Sequence, residues 1–215
     1  VKNGPASLEA IRKLSELDSN GKCRNVMIAP PLRLHDCSLV TDGAAALVIT
    51  QTSNISNKAR AVEVAGIGHS VERLPENVRP NMHELMAGKD AVAKAYKEAG
   101  ITAADIDFAE VHDCFTINMI LSTEALGLAQ DGRGGFDYID GRFTRDDRTA
   151  INLSGGLKSK GHPVGATGAS MHALAYKQLI GEPIGVAAKK ADVGVVFNVG
   201  GSSVTNCVTV LKAPK

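Results

Sequence analysis

From residue 59 onward the apolar positions switch repeatedly between a period of two and a period near 3.6. ARAVEVAGIG (59–68) alternates as a strand does, and KDAVAKAYKEAG (89–100) puts Val92, Ala95, Tyr96 and Ala99 on one helical face, with Gly100 as its stop. ITAADIDFAEV (101–111) leads into a second strand, and INMILSTEALGL (117–128) reads as a second helix, again closed by glycine. A loop rich in glycine and charge fills 130–148, and INLSGG (151–156) reads as a strand ending in a tight turn. A third helix starts after Pro163, with Met171, Leu174, Ala175 and Leu179 on its inner side. VGVVFNVGG (193–201) and SSVTNCVTVL (202–211) form a hairpin pattern joined by glycine, which places Cys207 in the core of the last strand.

The first quarter of the chain is less regular. Leu8, Ile11, Leu14 and Leu17 predict a short amphipathic helix over 5–18, and 19–42 is rich in turn residues. AAALVIT (44–50) is an apolar run suited to a buried strand, and the polar SNISNK (53–58) reads as a linker. This divides the chain into 1–57 and 58–215. Strands alternating with helices, then a terminal hairpin, imply an α/β layered fold with a mixed sheet. In such folds chemistry collects where strands end and helices begin.

Composition removes several function classes. In 215 residues the net charge is +1, too weak a field to attract nucleic acid or an anionic membrane. No stretch approaches the ~20 apolar residues of a membrane span. Cys23, Cys37, Cys114 and Cys207 are widely separated, without the paired spacing of a zinc site, and no metal is expected. A chain of this size does not need disulfides, so a reducing, cytoplasmic setting is expected. The sequence opens VKNGPASLEAIRKL, with neither a signal pattern nor an initiating Met, and reads as starting inside a longer protein.

Two phrases carry chemistry. In GGLKSKGHPVGATG (155–168), His162 stands between Gly161 and Pro163 ahead of a helix, within five glycines. Glycine permits close backbone approach and proline sets the helix start, so this histidine is held rigidly, as a general base must be. EVHDCFT (110–116) ends a strand with His112 and Cys114 separated by Asp113. Alternation sends Asp113 to the opposite face, which makes it structural. The similar LHDC at 34–37 has no supporting context and reads as scaffold.

GHPVGATG closely resembles the GHP motif of thiolases, which exchange acyl groups between coenzyme A thioesters. VHDCFT resembles the HDCF motif of the SCP2-type and archaeal-like thiolases, and INLSGGLKSKGHP and TDGAAAL (41–47) match that family in the same order. The resemblance spans the chain but only the second half of a thiolase. It implies a mixed five-stranded sheet with helices on both faces, residues 1–57 being the end of the preceding thiolase domain.

The resemblance further implies that His162 activates a nucleophilic cysteine, that His112 lines an oxyanion hole and that Cys114 is the acid/base. Other thiolases take that acid/base cysteine from a Cys-x-Gly motif near the C-terminus. The corresponding loop here reads FNVGGSS, with Gly200 near its place. The backbone of Gly161, Gly200, Gly201 and Ser202 is expected to line the oxyanion hole or the coenzyme A site. No cofactor is expected to be bound permanently: the coenzyme A thioester is the substrate, and a homo-oligomer would form through the other half of the family's sequence. The family's nucleophile falls in that other half. The competing readings are a non-catalytic acyl-CoA-binding or partner-binding domain, and a related condensing enzyme. Pro163 and the HDCF phrase speak against the latter.

Overall fold

The computed structural model describes residues 7–214. The predicted first helix is seen as α1 (Leu8–Leu14), where the Ser7 hydroxyl caps the Ala10 N–H at 3.1 Å. Residues 5 and 6 of that prediction lie outside the described ones. Leu17 falls beyond the helix and is exposed, so it does not continue the apolar face. Two short strands, β1 (Met27–Ala29) and β2 (Leu32–Arg33), pair antiparallel.

AAALVIT forms no strand. Val48 is 97% exposed and Ile49 80%, because an isolated run has its backbone groups paired by nothing and no described strand lies beside it. Its apolar composition suits burial, but burial needs a neighbour.

The rest of the chain builds a five-stranded sheet. In chain order its elements are β3 (Glu63–Val71), α2 (Met86–Ala99), β4 (Phe108–Val111), α3 (Thr116–Ala125), α4 (Gly134–Ile139), β5 (Ala150–Ile151), α5 (Gly156–Lys160), α6 (Thr167–Leu179), β6 (Val193–Gly200) and β7 (Thr205–Lys212). The strand order is β3-β7-β6-β4-β5. β4 runs parallel to both neighbours, while β7 runs antiparallel to β6 and β3. The loop expected over 130–148 thus contains a helix, which stacks Tyr138 on Phe143.

Strand alternation sorts the sheet into two apolar layers. Val195, Phe197, Val199, Val208 and Val210 meet Ala91, Val92 and Ala95 of α2 on one face. Phe108, Val196 and Leu211 meet Leu157 of α5 and Met171, Ala175 and Leu179 of α6 on the other. Helices therefore cover both faces, as expected. Against β3 the fit leaves no room for side chains: a Cβ on Gly68 would lie 1.7 Å from the Ala91 carbonyl oxygen, and one on Gly66 2.3 Å from that of Ala95.

Cys207 corrects the sequence reading, since it is exposed. In β7 the inward positions of the tightly packed face are Asn206, Val208 and Val210; Cys207 points to the other face, near the end of the strand. Among the described residues no helix is long and apolar enough to cross a membrane, and no cluster of three or more His, Cys, Asp or Glu side chains is arranged to hold a metal.

Candidate active site

The parallel strands β4 and β6 end side by side, and their carboxyl ends carry the candidate site. His112 extends the β4 ladder by one bond, its N–H donating to the Phe197 carbonyl at 3.0 Å. The chain then turns. Asn118, in the first turn of α3, donates its side-chain N–H to the His112 carbonyl. Asp113 leaves the strand rather than following its alternation, and its Oδ1 accepts the Leu157 N–H at 2.7 Å, at the start of α5. Asp113 thus ties the end of β4 to the glycine turn that precedes His162. Gly156 is required there twice over: its φ is +60°, and a Cβ would lie 2.2 Å from Asp113 Oδ2.

Helix α5 stops at Gly161, whose φ is +96° and whose missing Cβ leaves room for the Thr41 side chain at 2.6 Å. This turn swings His162 back over the sheet. The rings of His162 and His112 meet edge to face, with centroids 4.9 Å apart and planes at 86°. Residues fifty positions apart in sequence therefore form one unit.

Each ring is oriented by a partner. His162 Nδ1 lies 2.7 Å from Thr167 Oγ1, and that hydroxyl donates to the Pro163 carbonyl at 3.0 Å. With its single proton so engaged, the hydroxyl accepts from Nδ1–H and leaves the Nε2 lone pair of His162 free. His112 Nδ1 lies against Asn198 Oδ1, near the end of β6.

Burial keeps both rings neutral. It pushes the His112 pKa down to about 4, assisted by His162 and Lys160 and opposed by the bond to Asn198. It lowers that of His162 too, again with help from Lys160. The Cys114 thiol is half-buried, and desolvation raises its pKa, so it rests as the protonated acid. Cys114 packs against the apolar layer that includes Leu157 of α5 and Met171 and Ala175 of α6.

The N-terminal segment straps this region. The Ser38 N–H donates to the Cys114 carbonyl at 2.7 Å, Cys37 bridges to Phe115, and Val40 pairs with His162. Asp36 accepts the Thr116 hydroxyl at 3.0 Å, and Lys158 donates to the Cys37 carbonyl. The LHDC phrase thus supports the HDC loop through the Cys37 backbone and the Asp36 carboxylate.

Gly200 ends β6, and Gly201 and Ser202 follow in the turn to β7; all three are exposed, Gly201 and Ser202 at positive φ. Gly201 and Ser202 line a cavity of about 700 Å³ with Leu74, Glu76, Asn77 and Met82. They make none of the hydrogen bonds that orient the histidine pair. Gly161 does border the pair, through the turn that carries His162.

Besides Thr167, three polar residues near the site escaped the sequence reading. Asn198 is one, although FNVGG placed it two positions from Gly200. Glu110 is fully buried on the same side of β4 as His112, where it accepts from the Ser154 hydroxyl at 2.6 Å and the Ser154 N–H at 3.2 Å; burial raises its pKa to about 7. Lys160 donates to Ser170 Oγ at 3.1 Å, and burial lowers its pKa. Period-two alternation could have flagged Glu110, a charged residue on the inner face of a buried strand.

Comparison with known proteins agrees with this architecture. The family model described as thiolase C-terminal domain-like matches residues 68–213. The chain belongs to that family. It is 37% identical over 187 residues to the acetyl-CoA acetyltransferase of Methanothermobacter thermautotrophicus, a match covering 86% of this chain and 49% of the relative. It is also 37% identical over 158 residues to sterol carrier protein 2 of Homo sapiens, covering 70% of this chain and 29% of that one. The chain thus spans about half the length of the archaeal relative or less of the human one. Among solved structures the Ltp2-ChsH2(DUF35) aldolase superposes with a TM-score of 0.72 at 17% identity, covering 89% of this chain and 50% of that one, which shows a shared fold.

Proposed function

We propose that this chain is the acid/base and oxyanion half of a thiolase-type acyltransferase, acting in thiolytic cleavage or Claisen condensation of 3-ketoacyl-CoA and acetyl-CoA. The observation that carries the reading is the edge-to-face pair of His112 and His162, with Cys114 two residues beyond His112 in the chain. Residues 1–57 are then the end of the preceding domain, which supplies the strap over the HDC loop.

The roles follow from the protonation states. His162, neutral with Nε2 bare, takes the proton of an attacking thiol. His112 directs a ring nitrogen at the oxygen on which charge develops, where a preorganised donor counts most. In the cleavage direction the thiol sulfur bonds to the keto carbon and the Cα–Cβ bond breaks. Its electron pair forms the enolate of acetyl-CoA, and that carbanion takes the proton of the Cys114 thiol. In condensation the Cys114 thiolate removes the α proton and the same steps reverse. A neutral resting thiol suits the donor role in cleavage.

The test is thiolysis of acetoacetyl-CoA by the open reading frame that contains this chain with its upstream sequence. Turnover is expected there, with a loss of about 10²–10⁴-fold in kcat for His162→Ala. The 215-residue chain alone is expected to be silent. Turnover by that chain alone, dependent on Cys37, would overturn the assignment.

A further inference from the structure

An oxyanion donor must carry a proton on the nitrogen it presents, and the neutral imidazole of His112 has only one to place. Nδ1 faces Asn198, so the proton has to be on Nε2 if His112 is to donate into the site. What Asn198 offers to Nδ1 therefore decides the matter. A carboxamide is two-ended: its oxygen demands Nδ1–H and leaves Nε2 bare, whereas its NH2 demands a bare Nδ1 and puts the proton on Nε2. A half-turn about the Cβ–Cγ bond exchanges the two ends.

The surroundings of the far end of the amide discriminate between them. With Oδ1 against His112, the NH2 of Asn198 faces Gly168, where a Cβ would lie only 3.0 Å from Nδ2. Gly168 belongs to the first turn of α6, which has no side-chain cap. The Thr167 and Ser170 N–H groups bond to the Pro163 and Ala166 carbonyls, but those of Gly168 and Ala169 have no backbone acceptor among the described residues and lie at the positive end of the helix. An NH2 turned toward them sets donor against donor, and in this orientation it meets no acceptor among the described residues. The oxygen turned toward them is an acceptor against donors. Rotating the amide improves this end and, at the other, makes His112 a donor through Nε2.

We propose that Asn198 is a positioning residue which, with its carboxamide NH2 on Nδ1, holds His112 in the Nε2–H tautomer. The sequence places this residue on β6 and the histidine on β4, so the parallel pairing of these strands, with Val111 opposite Phe197, is what brings them together. The inference rests on the oxyanion role proposed above for His112. It also assigns a task to the asparagine of FNVGG, a residue that otherwise ends a buried strand with a half-exposed polar side chain.

The test reads the tautomer directly and needs no turnover. In the 215-residue chain with 15N-labelled histidine, long-range 1H–15N correlation at neutral pH is expected to show His112 protonated at Nε2. In a uniformly 15N-labelled sample, a coupling across the N–H···N bond is expected between Asn198 Nδ2 and His112 Nδ1. Asn198→Asp offers only acceptors and is expected to move the proton to Nδ1, with the His162 signals unchanged as the control for folding. A wild-type proton on Nδ1, or no coupling between the two nitrogens, overturns the proposal; so does an Asn198→Asp chain that keeps Nε2–H. The coupling decides the matter even if the variant does not fold. Loss of thiolysis in the longer protein would instead count against the proposed function and leave the tautomer result standing.

Discussion

His112 and His162 touch edge to face at 4.9 Å between centroids, and neither can take up a proton without placing charge against the other. The pair is neutral because it is buried and because Lys160 stands nearby. His162→Ala removes the neighbour whose protonation opposes that of His112 and admits water beside it. The His112 midpoint, about 4 in the intact site, is expected to rise. An NMR titration of the variant checks this, and an unchanged midpoint would show that the contact has no electrostatic weight.

Two buried groups make stability respond to acid in opposite senses. His112 has a folded pKa below its unfolded value, so between about 6.5 and 4 the unfolded chain binds more protons and stability falls as pH falls. Glu110 has a folded pKa raised from 4.5 to about 7, so over that window the folded chain binds more protons and stability rises as pH falls. Glu110→Gln leaves the histidine contribution unopposed. Urea midpoints at pH 7, 6 and 5 are expected to drop more steeply for the variant than for the wild type. Parallel curves would mean that Glu110 does not titrate in this range.

Asp113 supplies an acceptor for the buried Leu157 N–H. Asp113→Ala leaves that donor unsatisfied and is expected to cost about 1–3 kcal/mol in chemical denaturation. Asp113→Asn keeps an oxygen in place and is expected to cost less. Equal losses would show that charge, rather than the hydrogen bond, holds the turn.

Gly100 and Gly156 separate two reasons for glycine. Gly100 has φ +65° and open space around its missing Cβ, so Gly100→Ala is expected to cost about 1 kcal/mol from backbone strain. Gly156 adds the clash with Asp113 Oδ2, and Gly156→Ala is expected to lose about 1–3 kcal/mol more. Because that clash displaces the carboxylate, the variant should also disturb the His112 and His162 signals, whereas Gly100→Ala should leave them in place.

Much of the fold could be read from periodicity. β3, α2, β4, α3, α6 and the β6–β7 hairpin all fall near their predicted positions, because each buries an apolar face whose spacing is local to the element. AAALVIT and Cys207 were misread for a shared reason. Apolar composition says that a segment suits burial, but whether another element covers it is decided elsewhere in the chain. Leu17 failed on a smaller scale, where α1 ended before reaching it.

At the site, the chemistry-bearing types and their local rigidity were written in the sequence: a histidine between glycine and proline, and a histidine and cysteine at a strand end. Those depend on neighbours along the chain, which sequence displays. Their meeting does not. The T-shaped pair, the Asn198 amide on His112 and the buried Glu110 all arise from the parallel pairing of β4 with β6 and the return of α5 across the sheet, whereas the Thr167 hydroxyl that orients His162 is a local contact five residues on. A hydrogen bond is a relation over about 3 Å in space. Between residues tens of positions apart, only the packing of the layers sets that distance.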